Sequence, residues 1–459
     1  MNPDTETTID LTPLRDDFAG GLYTASDAGW DEARLAWNLA VDQHPAAVVI
    51  PEDAADVARA VRFARDRGVR VAVQGTGHNA AAYGDLTGVM LIKTERMRDV
   101  AIDPGTRTAR VGAGVTWGEV IGPAAEHGLT ALAGSSHDVG VVGYTLSGGA
   151  GWLARKHGLA SERVTAIELV SAEGDLREVT ALTDPDLFWA LRGGGGNFGV
   201  VTALEFGLLP VPEAYAGTLF FPLERAGEVL DAWRRWAATA PDEATSIGRL
   251  LQIPPIPDVP EFLRGRSFAA IEVVFLGSQE QGEELLAPLR ELGPEMDTFA
   301  MASPADLMAL HMDPPGPVPG IGDHQMLADL DAEAIERLVA AIGAGTNSPI
   351  LAFSIRHIGG ALGRRAEDSG ALGALNGRFM TFAVGMVMDP SVVPGLRAAF
   401  ESARKALDVV DNGAAYTNFA ESPVEPEACF GERTLARLRE IRANVDPDGL
   451  FLANHSIDA

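Results

Sequence analysis

A histidine at the end of a glycine-rich loop is the residue of this chain best placed to do chemistry. The run Val71-Ala72-Val73-Gln74-Gly75-Thr76-Gly77-His78-Asn79 passes from an alternating apolar strand straight into that loop. Gly75 and Gly77 leave few side chains in the way, so backbone N–H groups can turn inward together and hold a pyrophosphate. His78 then lies beside whatever the pyrophosphate carries. The alternative is a plain turn followed by a surface histidine, since glycine also punctuates ordinary turns.

A second cluster runs from Gly134 through Ser135, Ser136, Asp138, Val139, Gly140, Gly143, Tyr144, Gly148 and Gly149 to Gly151. Its spacing is too irregular for a helix and too rich in glycine for an ordinary strand. Such a segment lets backbone approach a flat ligand; the alternative is a long structural loop, which is uncommon inside a compact domain. Gly194-x-Gly196-x-x-Gly199 matches a dinucleotide fingerprint by letters only. That fingerprint needs a strand before it and a helix after it, and here the order is reversed. The nine histidines are scattered, with no His-Glu-x-x-His and a lone cysteine, so no metal site is expected. No Gly-x-Ser-x-Gly nucleophile is present.

The elements that must position these residues follow from periodicity. Val57, Ala60, Val61 and Ala64 form one apolar stripe, so Pro51–Gly68 reads as a helix. Val69, Val71 and Val73 alternate as a strand, and Val89–Ile92 is a second. Val100–Ile102 and Ala109–Val111 flank a turn, Thr116 and Glu119 have capping-box spacing, and 129–158 resists assignment. Val164–Val170 with Leu176–Val179 makes a hairpin. A helix over Asp184–Leu191 and a strand over Val200–Phe206 follow. Beyond Pro210 and Pro212 the texture changes. Helices are expected at Leu223–Ala238, Gln279–Leu292 (kinked or broken by Pro288), Ala332–Ala344 and Val392–Ala406, and strands at Phe268–Phe275, Pro349–Ile358 and Phe379–Met388. This is an α+β pattern, a sheet covered by helices on one side. The proline-dense loops 253–260 and 313–319 are expected rims.

Bulk properties narrow the function. A chain of 459 residues with 46% hydrophobic and 22% charged residues is a globular protein of two or three domains. Its net charge of −28 repels phosphate backbones and anionic membrane, so neither nucleic acid nor membrane is an expected partner. One cysteine, Cys429, fits a reducing cytoplasm. The polar start, Met1–Leu11, does not read as a signal peptide, and no apolar run of about 18 residues exists to span a bilayer.

Four stretches together resemble the FAD-linked oxidases of the vanillyl-alcohol oxidase and p-cresol methylhydroxylase superfamily, in the berberine-bridge-enzyme-like branch. They are Gln74–Asn79, Gly134–Gly151, the specific run Asp186-Leu-Phe-Trp-Ala-Leu-Arg-Gly-Gly-Gly-Gly-Asn-Phe-Gly-Val-Val201, and the tail Asp446–Asn454. The resemblance is strongest to bacterial 6-hydroxy-D-nicotine-oxidase-like members. It implies a two-part FAD-binding domain of the PCMH type, residues 1–210 with a core at about 43–210, and an inserted α+β substrate domain at 211–408. The latter carries an antiparallel sheet covered by helices, and 409–459 returns to the FAD domain. It also implies that His78 bonds covalently to the flavin and that Gly75, Thr76 and Gly77 hold the pyrophosphate. Ser136 stands where many relatives carry a second flavin-linking cysteine, so a single attachment is expected. Val139 matches the position that gates oxygen, and Gly199, Val200, Val201 and Asn454 match further cofactor contacts. The same carry-over assigns Gln74, Asn79, Tyr83, Ser135, Asp138, Gly140, Gly143, Tyr144, Gly148, Gly149, Gly158 and Leu159 to cofactor binding.

In such an enzyme the flavin carries the redox step and the protein deprotonates the substrate. Ala415-Tyr416-Thr417-Asn418-Phe419 resembles the family's Tyr-x-Asn-Tyr motif, whose first tyrosine often acts as the base. Tyr416 is the catalytic candidate; the alternative is a residue that only packs. A phenol of ordinary pKa needs a nearby cation, for which Arg356, His357 and Arg378 are candidates. Substrate-contact candidates are Phe353, Arg356, His357, Phe382, Met386 and Asn418. The expected activity is oxidation of a small hydroxyl-bearing molecule with oxygen as acceptor and peroxide as product, by a cytoplasmic monomer or homodimer. The competing readings are an amine oxidase, an oxidative cyclase, and a flavin-containing ligand-binding protein without turnover.

Overall fold

The valine-rich strand before His78 lies inside a five-stranded sheet in the computed structural model, which describes residues 9–255, 261 and 263–458. The order is Gly21–Tyr23, Ala47–Ile50, Met90–Lys93, Val71–Gln74, Phe451–Leu452. All but the first strand run parallel. Parallel strands need cover, and the helix Ala54–Asp66 supplies it by burying Val57, Ala60, Val61 and Ala64. Asp53, rather than Pro51, opens this helix, its carboxylate accepting from the Asp56 amide. Phe451–Leu452 pairs with Val71–Ala72, so the chain's last residues complete the sheet that carries His78.

A second, antiparallel sheet of five strands follows the order Val100–Asp103, Thr108–Gly112, Val200–Gly207, Val164–Val170, Leu176–Val179. The Thr116–Glu119 capping box forms and starts the helix Trp117–Ala125. The unassigned stretch 129–158 holds two short helices, Val141–Leu146 and Ala154–His157, between glycine-rich turns. The helix Pro185–Leu191 precedes Gly194–Gly199 and a strand follows it, the order that excludes a dinucleotide fingerprint there.

The third sheet has eight antiparallel strands. Its path is Met296–Asp297, Ala214–Pro222, Ser267–Phe275, Ala244–Gln252, Ala352–His357, Phe379–Met386, Gly320–Leu327, with Ala300–Ala302 also on Ala214–Pro222. Helices Ala226–Ala237, Gln279–Arg290, Ala332–Ile342 and Val393–Leu407 cover one face. Pro288 does not break its helix, because it lies in the last turn before Arg290, where little helix remains to lose. The strands at 214–222, 244–252 and 320–327 are additions to the sequence expectation. The last two carry Arg249, Asp323, His324 and Gln325, polar residues that hide a strand's alternation. Of the expected rim at 253–260, residues 256–260 lie outside the described residues.

Side chains alternate across a strand, and that decides what this sheet offers. Leu250, Ile271, Val273, Phe353 and Ile355 enter the helix-covered core. Their neighbours Arg249, Glu272 and Arg356 therefore leave from the opposite face. There Ala216, Ile247 and Val274 pack on Leu132, Trp152 and Ala160 of the glycine-rich segment. Among the described residues no helix is long and apolar enough to cross a membrane.

Candidate functional site

The loop after Val71–Gln74 is held from both sides. The Trp37 amide donates to the Thr76 carbonyl at 2.9 Å. Gly77 adopts φ +90°, and a Cβ there would sit 2.8 Å from the Cβ of Ala36, so only glycine fits. His78 stacks on Trp37, with ring centroids 4.0 Å apart and 18° between planes. Its Nδ1 shares a hydrogen bond with the Thr76 hydroxyl at 2.7 Å, and its Nε2 lies 3.5 Å from Asp138 Oδ1. Asp138 also accepts from Trp37 Nε1 at 2.6 Å and from the Ser136 hydroxyl at 2.8 Å. Burial alone would raise the Asp138 carboxyl; the bonds from His78, Ser136 and Trp37 outweigh it and hold the group well below the usual carboxylate range. Thus the two glycine-rich stretches meet at His78.

Asn79 reaches the tail segment, its amide donating to the carbonyls of Thr417 and Ala420 at 3.0 Å each. Asn418 donates to the Tyr144 carbonyl at 3.0 Å, which ties the segment to the second glycine cluster. Within that cluster Gly149 has φ +80°, and a Cβ would meet the Tyr144 ring at 2.5 Å. The carbonyls of Gly148 and Gly149 accept from the amides of Ser161 and Ala160, just past Gly158 and the buried Leu159. Gly143 has open space where a side chain would stand, and a Cβ on Gly75 or Gly140 would make only ordinary contact. Val139 is partly buried against the core. Asn454 lines a narrow crevice with Gly193, Gly194, Gly195, Thr417 and His455.

Tyr416 is fully buried, and its amide donates to His324 Nε2 at 3.2 Å. Burial, with Arg404 and His455 nearby, drives His324 down to about 4, so this histidine is a neutral acceptor. The Tyr144 hydroxyl makes no hydrogen bond, and that of Tyr416 approaches the amides of Gly149 and Ala150 without closing a bond of good geometry. Burial pushes the Tyr416 phenol well above its ordinary value, and the amides of Gly149 and Ala150 and the charge of Arg356 pull it back only in part. Of the three cations expected to assist it, only Arg356 acts on it. Burial drives His357 down to about 3, with Arg155 and Arg378 adding to the shift, so His357 is uncharged. Arg378 is spent on Asp329 at 3.1 Å.

The structure separates the remaining candidates. Phe353 enters the helix-covered core and His357 stacks on Phe379 at 5.5 Å on that same side, so both face away from Arg356. Phe382 lies 5.2 Å from Phe419, ring to ring. The Tyr83 hydroxyl donates to the Val73 carbonyl at 2.6 Å and is a brace for the His78 strand. Ser135 turns outward to Asp313 at 3.3 Å. Val200 and Val201 are buried strand residues following Gly199. Sequence reasoning missed Trp37, His324 and a buried trio of Arg249, Glu272 and His311. A lone Glu272 within Phe-Ala-Ala-Ile-Glu-Val-Val-Phe was the available signal, since carboxylates are almost never fully buried without a partner.

Whether these residues suit a flavin can be tested on their polar atoms. Both side-chain polar atoms of Gln74, Asn79 Oδ1, Asn418 Oδ1, both ring nitrogens of His455 and the Tyr144 hydroxyl are buried without hydrogen bonds. Buried polar groups seek partners, and these sit beside glycines that admit a flat, polar molecule. The residues fit FAD. Among the described residues no three His, Cys, Asp or Glu side chains are grouped to hold a metal.

Comparison with known proteins agrees. Residues 45–180 match the FAD binding domain family model, and residues 415–458 match the berberine and berberine-like model. The chain is 28% identical over 464 residues to the uncharacterized FAD-linked oxidoreductase YvdP of Bacillus subtilis, covering 96% of this chain and 98% of that protein. The structure of 6-hydroxy-D-nicotine oxidase from Arthrobacter nicotinovorans superposes with a TM-score of 0.82 at 25% identity, over 98% of this chain and all (100%) of that one. Glucooligosaccharide oxidase from Acremonium strictum, which carries a 6-S-cysteinyl, 8α-N1-histidyl FAD, superposes with a TM-score of 0.79 at 23% identity, over 96% and 97% of the two chains. With the loop, the sheet order and the tail strand in place, the chain is an FAD-linked oxidoreductase whose two matched segments and whole-chain fold fit the berberine-bridge-enzyme-like superfamily.

Proposed function

We propose that the protein is an oxidase that removes a hydride from a small hydroxyl-bearing molecule, hands the electrons to oxygen and releases hydrogen peroxide. Its FAD is attached once, through His78, with Ser136 unable to supply a second link. The three-part division at 1–210, 211–408 and 409–459 belongs to the same proposal. The flavin, when bound, supplies the hydride acceptor. This chain's own residues do the rest. The 75–79 loop offers its amides to the pyrophosphate, and Asp138 and Trp37 orient the His78 ring. Tyr416 holds the substrate oxygen and, as the phenolate that the charge of Arg356 favours, receives its proton, while the apolar surroundings exclude water.

The observation that carries this reading is the Tyr416 hydroxyl, buried beside the amides of Gly149 and Ala150 and acted on by Arg356. An amine can shed its proton to solvent and has no need of such a group. The test is anaerobic mixing of the yellow protein with panels of alcohols and amines. Bleaching by alcohols, with peroxide released on readmission of air, supports the proposal. Bleaching by amines alone replaces it with the amine-oxidase reading.

A further inference from the structure

Arg356 leaves the eight-stranded sheet on the face turned toward the glycine-rich segment, between Ile355 and His357, which face the other way. One of its Nη2 hydrogens goes to His311 Nε2 at 3.2 Å, and its guanidinium carbon lies 4.8 Å from the Phe419 ring centroid. Its Nε is buried without a partner. Among the described residues no carboxylate oxygen comes within ion-pair distance of it.

The one buried carboxylate nearby is committed elsewhere. Glu272 Oε1 pairs with Arg249 Nη1 at 2.5 Å, and its Oε2 meets His311 Nδ1 at 2.7 Å. Glu272 accepts, so His311 Nδ1 carries the proton and Nε2 is left to accept from Arg356. Burial and the charge of Arg249 keep His311 neutral. Arg249 and Glu272 cancel, and Arg356 remains as one positive charge. Asp313, the acidic group that acts on it most, is exposed and beyond ion-pair distance, and it accepts from Ser135. On the other side Arg356 faces Tyr144 and Tyr416, whose ionisation it favours. A guanidinium in this setting is costly without an anion.

We propose that Arg356 is the specificity-determining residue of the substrate pocket and that the molecule oxidised carries a carboxylate. The inference rests on the oxidase reading only in taking the side of Arg356 that faces Tyr144 and Tyr416 as the substrate's. A neutral sugar leaves the charge uncompensated, and an ammonium substrate is repelled by it. The guanidinium binds the carboxylate through charge-assisted hydrogen bonds, and the aromatic side chains of Phe419 and Phe382 cover an apolar body.

Benzoate and benzamide, alike in shape and different in charge, are the probes. Each is titrated into the flavin-loaded protein and followed by calorimetry and by the visible flavin spectrum. Benzoate is expected to bind at least about 10-fold more tightly than benzamide. Arg356→Gln should abolish the preference and Arg356→Lys retain part of it, both with bound flavin and circular dichroism unchanged. Equal affinities in the parent protein, or a preference that survives in Arg356→Gln, overturn the proposal. So does a variant whose flavin potential shifts while the benzoate preference stays, since Arg356 would then serve the cofactor. If Arg356→Gln does not fold, loss of most of the preference in Arg356→Lys supports the proposal and full retention opposes it. The oxidase reading fails separately: a protein that prefers benzoate but is bleached by no alcohol keeps the anion site and loses the hydride step.

Discussion

Replacing Glu272 by glutamine removes one charge and leaves the shape almost intact. In the parent protein this carboxylate is 0% exposed and holds Arg249 and His311 at once. Two routes give the cost. Arg249, His311 and their hydrogen bonds outweigh burial and bring the Glu272 carboxyl from 4.5 to about 2, which corresponds to about 3 kcal/mol of pairing at about 1.4 kcal/mol per pKa unit. Breaking a buried ion pair from one side costs about 3–5 kcal/mol, because the surviving charge is left unpaired. The routes agree, so Glu272→Gln should lower the unfolding free energy at pH 7 by about 3–5 kcal/mol, read from urea titration with tryptophan fluorescence. Adding Arg249→Met should recover most of that loss, since the orphaned charge is gone. The sign with pH follows: the contribution is fully present above pH 4.5 and is lost as pH falls toward 2. A Glu272→Gln protein within about 1 kcal/mol of the parent would refute the reasoning, since buried charges do not lose partners so cheaply.

Other outcomes follow from the site. Tyr416→Phe should slow anaerobic flavin reduction by about 10²–10⁴ if its oxygen handles the proton, measured by stopped flow; an unchanged rate removes Tyr416 from the mechanism. Because burial raises that phenol, the rate of reduction should climb with pH through the alkaline range rather than level off near neutrality. A rise centred near pH 7 would point instead to Glu421, which burial pushes up to about 7 and which accepts from the Gly322 amide at 2.6 Å. Gly77→Ala should fold with a displaced loop and lose flavin, because the added Cβ meets Ala36 and its own backbone disfavours φ +90°; flavin content per protein, read by absorbance, checks this.

The parts of the molecule that local rules govern were legible in the sequence. The stripe Val57–Ala64, the Thr116–Glu119 capping box and the alternation before Gly75 each encode their own element. The family resemblance then singled out His78, Tyr416 and the tail Asp446–Asn454. What was hidden is long-range. Trp37 meets His78 from an irregular arm, and His324 meets Tyr416 from 92 residues upstream. Strands 244–252 and 320–327 went unread because their polar residues serve the site rather than the alternation. The same parity rule that places Arg356 toward the site turns Phe353 and His357 away. No spacing in the sequence says which face is which until the helices are seen on one side.

The most direct test of the account is mass spectrometry of the tryptic fragment Val71–Lys93, which contains His78. A fragment heavier by one flavin, coloured, and assigned to His78 by fragmentation is the predicted result, with the same fragment unmodified in His78→Ala and all flavin then extractable by acid. An unmodified fragment from yellow, catalytically active protein, or a flavin found on another residue, contradicts it.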